Sequence, residues 1–318
     1  MNILFKCDQS KFIGLGHFYR SNELANIFTK NNHKCFFLGL KPGIIKKNKI
    51  SKSNEKKDIE FTNKFIENYK ISIVVKDLYS LGYNWEKNIS KKSFLAVIDD
   101  FNHVKHYCNL YINYHFNWFK KKDYKLLKNE KCKKLIGPKY SIVKNFKTKK
   151  FKFKEKTIFI YMGGADKNMF MLKLVKIFNN NNFNKFKKIF LINNNHIRNK
   201  ELVNNLYKIK NTMIFKNKTK NFHQYMKSSD LCISAAGHTM LEQIVLKKNC
   251  LVIAQNQNQK KIASSLNDRK IITLVRNFKK INYEFINKLL KKKKINKSFI
   301  NRHGKNLIYK EIVSQQII

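Results

Sequence analysis

The fold is predicted from the stretch KCDQSKFIGLGHFYRSNELANIF, residues 6–28. A short apolar run, Ile3–Phe5, leads into it, and the residues after the turn carry apolar side chains at helical spacing. Gly14 and Gly16 lie between the two, in a chain with only ten glycines, so a backbone requirement is the natural reason for them. A strand, a glycine turn and a helix in this order begin a βαβ unit, and His17 follows the turn at once.

The same alternation of short apolar runs and longer amphipathic segments continues along the chain, which is typical of α/β proteins. Several runs are apolar throughout, as expected of strands with helices on both faces. We therefore predict two doubly wound, Rossmann-like α/β domains facing across a cleft, residues 1–150 and 151–318, with a charged linker at 144–156 and a C-terminal helical tail. Strands are predicted at 2–7, 34–40, 71–78, 94–100, 109–115, 157–164, 188–195, 211–216, 231–237, 250–255 and 271–275, and helices near 17–31, 54–69, 84–92, 168–180, 199–208, 221–228, 239–248, 260–268 and 282–316.

Composition and sequence pattern argue against a membrane protein, a secreted protein and a zinc- or disulfide-stabilised protein. No apolar run is long enough for a membrane span, and the N-terminus lacks the pattern of a secretory signal. The six cysteines are scattered without a CxxC pair, so neither a zinc site nor a disulfide framework is indicated. We expect a cytoplasmic protein with no membrane contact and no obligate protein partner.

The net charge of +47 raises the question of nucleic-acid binding. Only five of the 67 basic residues are arginine, the residue best suited to base and phosphate recognition, and the lysines are spread along the whole chain. A solvated lysine surface is therefore the favoured interpretation, and no nucleic-acid partner is expected. A polyanion-binding protein remains the alternative.

The glycine turn is not a dinucleotide fingerprint. The third glycine of GxGxxG would fall on Tyr19, and the chain has no GxxxxGK[ST] motif, so NAD, FAD and a P-loop are not expected. The turn still allows a ligand close to the backbone at a helix N-terminus. That helix end disfavours an imidazolium, so a neutral His17 is a candidate general base; a histidine that only hydrogen-bonds near the helix start is the alternative.

Polar residues follow the predicted strands of the first half, on the edge where ligands of doubly wound sheets bind. Asp8 follows the first strand, Asp77 and Tyr79 follow ISIVV, and Asp99 and Asp100 follow FLAVI. The carboxylates could orient sugar hydroxyls or bind a divalent metal, whereas turn and helix capping is the more ordinary role of such residues.

The second half contains three comparable loops. Gly163 and Gly164 in YMGGADKN end one strand, and Gly237 and His238 begin a helix in SAAGHTMLEQIV. The amides at this helix start suit a diphosphate, and the Glu242 carboxylate one turn later suits ribose hydroxyls, although Thr239 and Glu242 also have the spacing of a capping box. In the third loop, AQNQNQ, Asn258 and Gln259 could hold a sugar or a water.

These motifs, in this order, resemble one family, the UDP-2,4-diacetamido-2,4,6-trideoxy-β-L-altropyranose hydrolases of pseudaminic acid biosynthesis. The resemblance spans most of residues 1–270 and is carried by the following segments: Asp8 with IGLGH (13–17) and Arg20, KDLYSLGYNW (76–85), VIDD (97–100), LYINYHFN, GPKYSIV (137–143), MGGADKN, ISAAGHTMLEQ and NQKKIASSL.

The resemblance implies a GT-B-like fold that binds UDP mainly in the second domain and hydrolyses a UDP-sugar at the anomeric carbon without metal or cofactor. His17 matches the family's general base, and Tyr79 and Asn258 match positions lining its sugar site. The predicted substrate-binding set is Asp8, Gly14, Gly16, Arg20, Asp77, Tyr79, Asn258 and Gln259, and the predicted UDP-binding set is Gly163, Gly164, Gly237, His238, Thr239 and Glu242. A UDP-sugar-dependent glycosyltransferase of the same fold is the nearest alternative.

Overall fold

The computed structural model describes residues 1–7, 16–39, 52–115, 125–144, 146, 149–164, 166, 168–216, 219–292, 300 and 302–315. The chain divides into two compact units. Unit 1 comprises Met1–Lys144 and Phe299–Ile318, and unit 2 comprises Asn145–Ser298.

Unit 1 is built on a parallel six-stranded sheet in the order β2-β1-β3-β4-β5-β6. In this order the chain leaves β1 toward one side and returns to β3 on the other, which creates a topological switch point between β1 and β3. The register places Cys7, the last residue of β1, beside Asp77, the last residue of β3. The elements are β1 (Asn2–Cys7), α1 (Gly16–Lys30), β2 (Lys34–Leu38), α2 (Lys52–Asn68), β3 (Ile73–Asp77), α3 (Tyr83–Ile89), β4 (Phe94–Ile98), β5 (Leu110–Asn113) and β6 (Lys133–Ile136).

Unit 2 has a second parallel six-stranded sheet, in the order β12-β11-β10-β7-β8-β9, with its switch point between β7 and β10. The elements are β7 (Thr157–Tyr161), α4 (Phe170–Phe178), β8 (Lys187–Ile192), α5 (Asn194–Ile197), α6 (Lys200–Tyr207), β9 (Thr212–Lys216), α7 (Phe222–Ser228), β10 (Leu231–Ala235), α8 (His238–Val245), β11 (Asn249–Ile253), α9 (Gln257–Asp268), β12 (Thr273–Leu274) and α10 (Tyr283–Lys291).

The central strands are buried along their whole length, because helices cover both faces of each sheet. In unit 1, Leu4, Val74 and Trp85 belong to the core on the α2 and α3 side. The predicted α/β class with two doubly wound parallel sheets is confirmed.

Asparagine, which is abundant in this sequence, starts several helices of unit 2. The side chains of Asn199, Asn256 and Asn282 each accept a hydrogen bond from the backbone N–H three residues later. This contact satisfies one of the free N–H groups at the helix start, which is why asparagine is favoured there. Part of the compositional bias therefore has a local structural use.

The C-terminal tail lies elsewhere than its position in the sequence indicates. The sequence predicts it as an extension of the second domain, whereas α11 (Gly304–Ser314) packs against α1 and the 3₁₀ turn Pro138–Tyr140 in unit 1. Lys305 Nζ donates to Glu23 Oε2 at 2.6 Å, and Gly304 fits directly on the backbone of Ser141. Burial of the tail against α1, rather than chain proximity, decides which unit it joins.

Over the described residues, none of the helices combines the length and the apolar character that a membrane crossing requires.

Candidate functional site

The described members of the predicted site in unit 1 lie at the switch point of its sheet. His17 is the second residue of α1, the helix that follows β1, and Asp77 closes β3 next to it. Gly16 begins α1, and a side chain built on it would meet nothing within 4 Å. Asp8 and Gly14 lie outside the described residues, so their assignment stays a prediction.

His17 is bonded to a buried carboxylate. Its Nδ1 lies 2.6 Å from Asp77 Oδ1, and His17 as a whole residue is 9% exposed. Arg20 Nη2, which can only donate, also lies 3.1 Å from Nδ1. The contact with Asp77 is the shorter of the two, and since an ionised carboxylate accepts, it favours the tautomer with the proton on Nδ1 and the lone pair of a neutral ring on Nε2. The edge of the ring also meets the ring of Tyr79, with centroids 4.7 Å apart.

Arg20, one turn further along α1, holds Asp77 from the other side. Its Nε donates to Asp77 Oδ2 at 2.5 Å, and its Nη2 donates to Asp77 Oδ1. The hydroxyl of Ser21 adds a contact of 3.3 Å to Asp77 Oδ2. Asp77 is fully buried, so hydrogen bonds from Arg20 and His17 replace water around its negative charge.

A second carboxylate, Asp100, extends the cluster. Arg20 Nη1 donates to Asp100 Oδ1 at 2.7 Å, and His115 Nε2 lies 2.8 Å from the same oxygen. The hydroxyl of Tyr79 donates to Asp100 Oδ2, while 44% of the Tyr79 residue remains exposed. Arg20 Nη1 also contacts the Tyr114 hydroxyl at 2.7 Å. The guanidinium of Arg20 therefore connects Asp77, Asp100 and the Tyr114 hydroxyl.

The electrostatics of the cluster follow from these contacts. Burial alone would raise the pKa of Asp77, but the charges and hydrogen bonds of Arg20 and His17 together outweigh it and lower the pKa. The pKa of Asp100 is likewise held well below its usual value by Arg20 and His115 against the effect of burial. Burial and the charge of Asp100 raise the pKa of the Tyr79 hydroxyl well above its usual value. Both carboxylates are thus ionised, and Tyr79 is a neutral hydrogen-bond donor.

Sequence reasoning did not include three members of this cluster among the site residues: Asp100, Tyr114 and His115. Asp100 appeared only as one of two aspartates at a strand end, and Tyr114 and His115 sit just past β5. The available signal was the polar and aromatic run that follows β5, on the strand next to β4.

Gly163 and Gly164 follow β7 at the switch point of unit 2. Gly163 has φ of +78°, a conformation that favours glycine, and side chains built at either position would meet nothing within 4 Å. Asn193 Nδ2 donates to Gly163 O at 2.8 Å and fixes the turn. Asp166 of the same motif accepts from the N–H groups of residues 170 and 171, so it caps α4.

The start of α8 does not form the capping box that the sequence allows. Gly237 is the N-cap residue, so Thr239 and Glu242 do not occupy the positions of such a box. Glu242 is buried instead, with Oε1 3.3 Å from His223 Nε2 and 3.8 Å from His238 Nε2. A side chain built on Gly237 would again meet open space.

The amides after β11 have a structural use. Gln259 Oε1 accepts from Gln255 N at 2.9 Å, and Gln255 Nε2 donates to Met162 O at 2.8 Å, which ties this loop to the loop after β7. Asn258 is exposed in the first turn of α9. Of the two predicted sugar-binding amides, Asn258 is accessible and Gln259 contributes at least one of its atoms to the loop.

Among the described residues, no group of three or more His, Cys, Asp or Glu side chains is arranged to hold a metal ion. The site carboxylates Asp77 and Asp100 instead bond Arg20, His17 and His115.

Comparison with known proteins gives distant but extensive matches, and no family model matches the chain. The UDP-2,4-diacetamido-2,4,6-trideoxy-β-L-altropyranose hydrolase of Campylobacter jejuni is 24% identical over 272 residues, 84% of this chain and 96% of that protein. An uncharacterised protein of Methanocaldococcus jannaschii is 30% identical over 285 residues, 82% of this chain but 57% of that protein.

Solved structures match the whole chain. MurG of Acinetobacter baumannii aligns with a TM-score of 0.64 over 98% of this chain and 93% of that one, at 11% identity. The glycotransferase of kitacinnamycin aligns with a TM-score of 0.69 over 100% and 99%, at 11% identity. A Listeria monocytogenes protein described as a UDP-N-acetylglucosamine 2-epimerase aligns with a TM-score of 0.65 over 99% and 96%, at 10% identity. The fold is therefore GT-B-like, as predicted, and the sequence is similar over most of its length to the C. jejuni hydrolase.

Proposed function

We propose that this protein is a nucleotide-sugar hydrolase that releases UDP from a UDP-linked diacetamido-trideoxy sugar. The support is the similarity to the C. jejuni hydrolase, which covers nearly all of that protein, together with the GT-B-like fold. The observation that carries the proposal is the His17–Asp77 pair at the switch point of unit 1, with 2.6 Å between Nδ1 and Oδ1.

His17 is the general base of the proposed reaction. With Nδ1 bonded to Asp77, its Nε2 can accept a proton from water while the water oxygen bonds to the anomeric carbon. The bond between that carbon and the oxygen of the β-phosphate breaks, and its electron pair leaves with UDP. The products are UDP and the free sugar, and the proton returns to solvent from His17. General-base catalysis of this kind contributes about 10²- to 10⁴-fold.

Asp77 and Arg20 serve the reaction by positioning His17 rather than by touching the sugar. Both side chains are buried and bonded to each other, so a sugar hydroxyl would have to displace an existing ionic hydrogen bond. Tyr79, which is partly exposed and packs against His17, is the better candidate for sugar contact. Asn258 is assigned to the sugar on the family resemblance.

We assign UDP to unit 2. The open turns at Gly163, Gly164 and Gly237 leave room for phosphate oxygens near backbone N–H groups, which would stabilise the charge of the leaving group. Glu242 would accept hydrogen bonds from ribose hydroxyls in place of its contact with His238. His238 and Thr239 lie at the start of the same helix, α8.

The test is His17→Phe, assayed for free sugar and UDP from the UDP-linked diacetamido sugar. We expect wild type to release both without any acceptor, and the variant to bind UDP normally while losing turnover by at least about 100-fold. His303→Asn, at an exposed histidine of unit 1, is the matched control. A His17→Phe rate near that of wild type would refute the assignment of the base.

Release of UDP only when an acceptor is added would instead identify a glycosyltransferase. The GT-B-like fold is shared by enzymes of that class, so the acceptor-free assay is the one that separates the two activities.

A further inference from the structure

A second group of buried ionisable residues lies beside the site cluster and is not used by the proposed chemistry. Its centre is Glu86 of α3, which is fully buried. Glu86 Oε1 accepts from Lys76 Nζ at 2.5 Å and lies 2.8 Å from His106 Nδ1, while Oε2 accepts from Tyr107 N at 2.7 Å. This arrangement fixes one side of the His106 ring.

The other side of the ring faces Asp99. His106 Nε2 is 3.6 Å from Asp99 Oδ2, an ion-pair contact rather than a hydrogen bond. Asp99 Oδ2 also accepts from Tyr111 OH at 2.7 Å and from Asn102 N at 2.6 Å, and Oδ1 accepts from Phe101 N at 3.2 Å. Asp99 therefore determines the shape of the turn 99–102.

The turn 99–102 contains Asp100, a residue of the site cluster. Asp100 is the residue that bonds Arg20, His115 and Tyr79, and Phe101 packs against the Tyr79 ring with centroids 5.4 Å apart. A movement of this turn would therefore move the ring of Tyr79, which contacts the ring of His17.

We propose that His106 is a positioning residue of the site: as an imidazolium held between Glu86 and Asp99, it fixes the 99–102 turn and through it Asp100 and Tyr79. Only the charged ring has a proton on each nitrogen, so a neutral His106 satisfies one of the two carboxylates at the expense of the other. The inference rests on the proposed function for its effect on turnover, but not for the charge of His106.

The surroundings of the ring favour the charged form. The titratable groups around it are Glu86 from α3, Lys76 from β3, Asp99 after β4, Tyr111 from β5 and Cys132 before β6. Burial lowers the pKa of His106, but the contacts with Asp99 and Glu86 outweigh it and raise the pKa to about 9.

The sign of the pH dependence follows. Because the folded-state pKa is above the ordinary value, the stability that His106 contributes is complete below about pH 6.5 and is lost as the pH rises through about 9. The same rise should loosen the 99–102 turn, so we expect kcat to fall through about pH 9 while KM changes little.

The experiment compares wild type, His106→Asn and His106→Gln, with His303→Asn as control. Asparagine places its amide near Nδ1 and keeps the Glu86 contact, whereas glutamine places it near Nε2 and keeps the Asp99 contact. We expect kcat of the asparagine variant to fall on the order of 10- to 100-fold at neutral pH with KM within about twofold, and the glutamine variant to recover part of the loss. Neither variant should show the alkaline fall in kcat or in thermal midpoint.

Histidine NMR of the ligand-free protein supplies a readout that needs no substrate. We expect one buried histidine, absent from His106→Asn, to titrate near pH 9, and the His17 and His115 resonances to move in that variant. Titration of His106 near its ordinary value with unmoved His17 and His115 signals would overturn the proposal, as would a variant whose kcat is unchanged or whose defect is confined to KM or stability. If wild type itself does not release UDP, the proposed function fails, and the NMR result still decides the role of His106.

Discussion

At the residue scale, the central feature is one arginine that serves two buried carboxylates. Arg20 contacts Asp77 through Nε and Nη2 and Asp100 through Nη1, so three directions of its planar fork are used. Both carboxylates keep a low pKa largely because of this charge. The pKa of Arg20 itself is raised well above its usual value, since the charges of Asp100 and Asp77 outweigh the effect of its burial.

Arg20→Lys tests whether geometry or charge matters at this position. Lysine keeps the charge but is a point donor that cannot reach Asp77, Asp100 and Tyr114 together. We expect a loss of about 1–3 kcal/mol in the free energy of unfolding and a clear fall in turnover. Arg269→Lys, on the exposed end of α9, should change stability by less than about 0.5 kcal/mol. Equal effects of the two substitutions in urea denaturation would contradict the role assigned to the fork.

At the element scale, helix α1 has two roles: it carries residues of the candidate site, and it packs against the C-terminal helix α11. Its N-terminal turn presents His17 and Arg20 to the ends of β3 and β4, and its outer face is covered by α11. The pairs Phe28–Tyr309 and Lys305–Glu23 join the two helices. The tail therefore supports the helix that carries the candidate base.

Gly304→Ala tests this support. A Cβ at Gly304 would lie 2.4 Å from Ser141 O and 2.6 Å from Ser141 N, and backbone atoms cannot yield as a flexible side chain would. We expect a loss of about 1–3 kcal/mol in stability, even though alanine is the better helix former by about 1 kcal/mol. The measurement is chemical denaturation, with amide hydrogen exchange of α1 as a local readout.

Gly82→Ala is the matched control, because its Cβ would meet only Glu55 Oε1 at an ordinary 3.8 Å. If Gly304→Ala were as stable as this control, the close packing of α11 on the 140–141 backbone would be disproved.

At the scale of the whole molecule, the dominant property is the net charge of +47. The acidic residues in the site are already paired internally, so they do little to offset the repulsion among the surface lysines. Like charges at this density destabilise the compact state, and salt screens them over distances of about 10 Å at 0.1 M.

We therefore expect the thermal midpoint to rise by a few degrees when sodium chloride is increased from about 0.02 M to about 0.5 M. Differential scanning fluorimetry would measure it, with sucrose at matched osmolality as the control for effects other than screening. A midpoint that falls with salt would show that attractive ion pairs outweigh lysine repulsion.

Much of the fold could be read from the chain because it depends on local periodicity. The strand 2–7 and the helix after the glycine turn fall where the pattern places them, since apolar spacing reports which face is buried. β6 (Lys133–Ile136) escaped prediction because it begins with two exposed lysines and is an edge strand with little apolar signal. The short α5 is defined by a capping contact of Asn193, too local for a periodic pattern.

The sequence by itself determined the two α/β units and the presence of a histidine at a helix start, because each of these depends on neighbours within one or two turns of chain. Only the tertiary structure decided which carboxylate His17 meets. His17 and Asp77 are 60 positions apart, and they touch because β1 pairs with β3 in parallel register. Strand order depends on how helices cover both faces of the sheet, a property of the whole packed unit that no local pattern encodes.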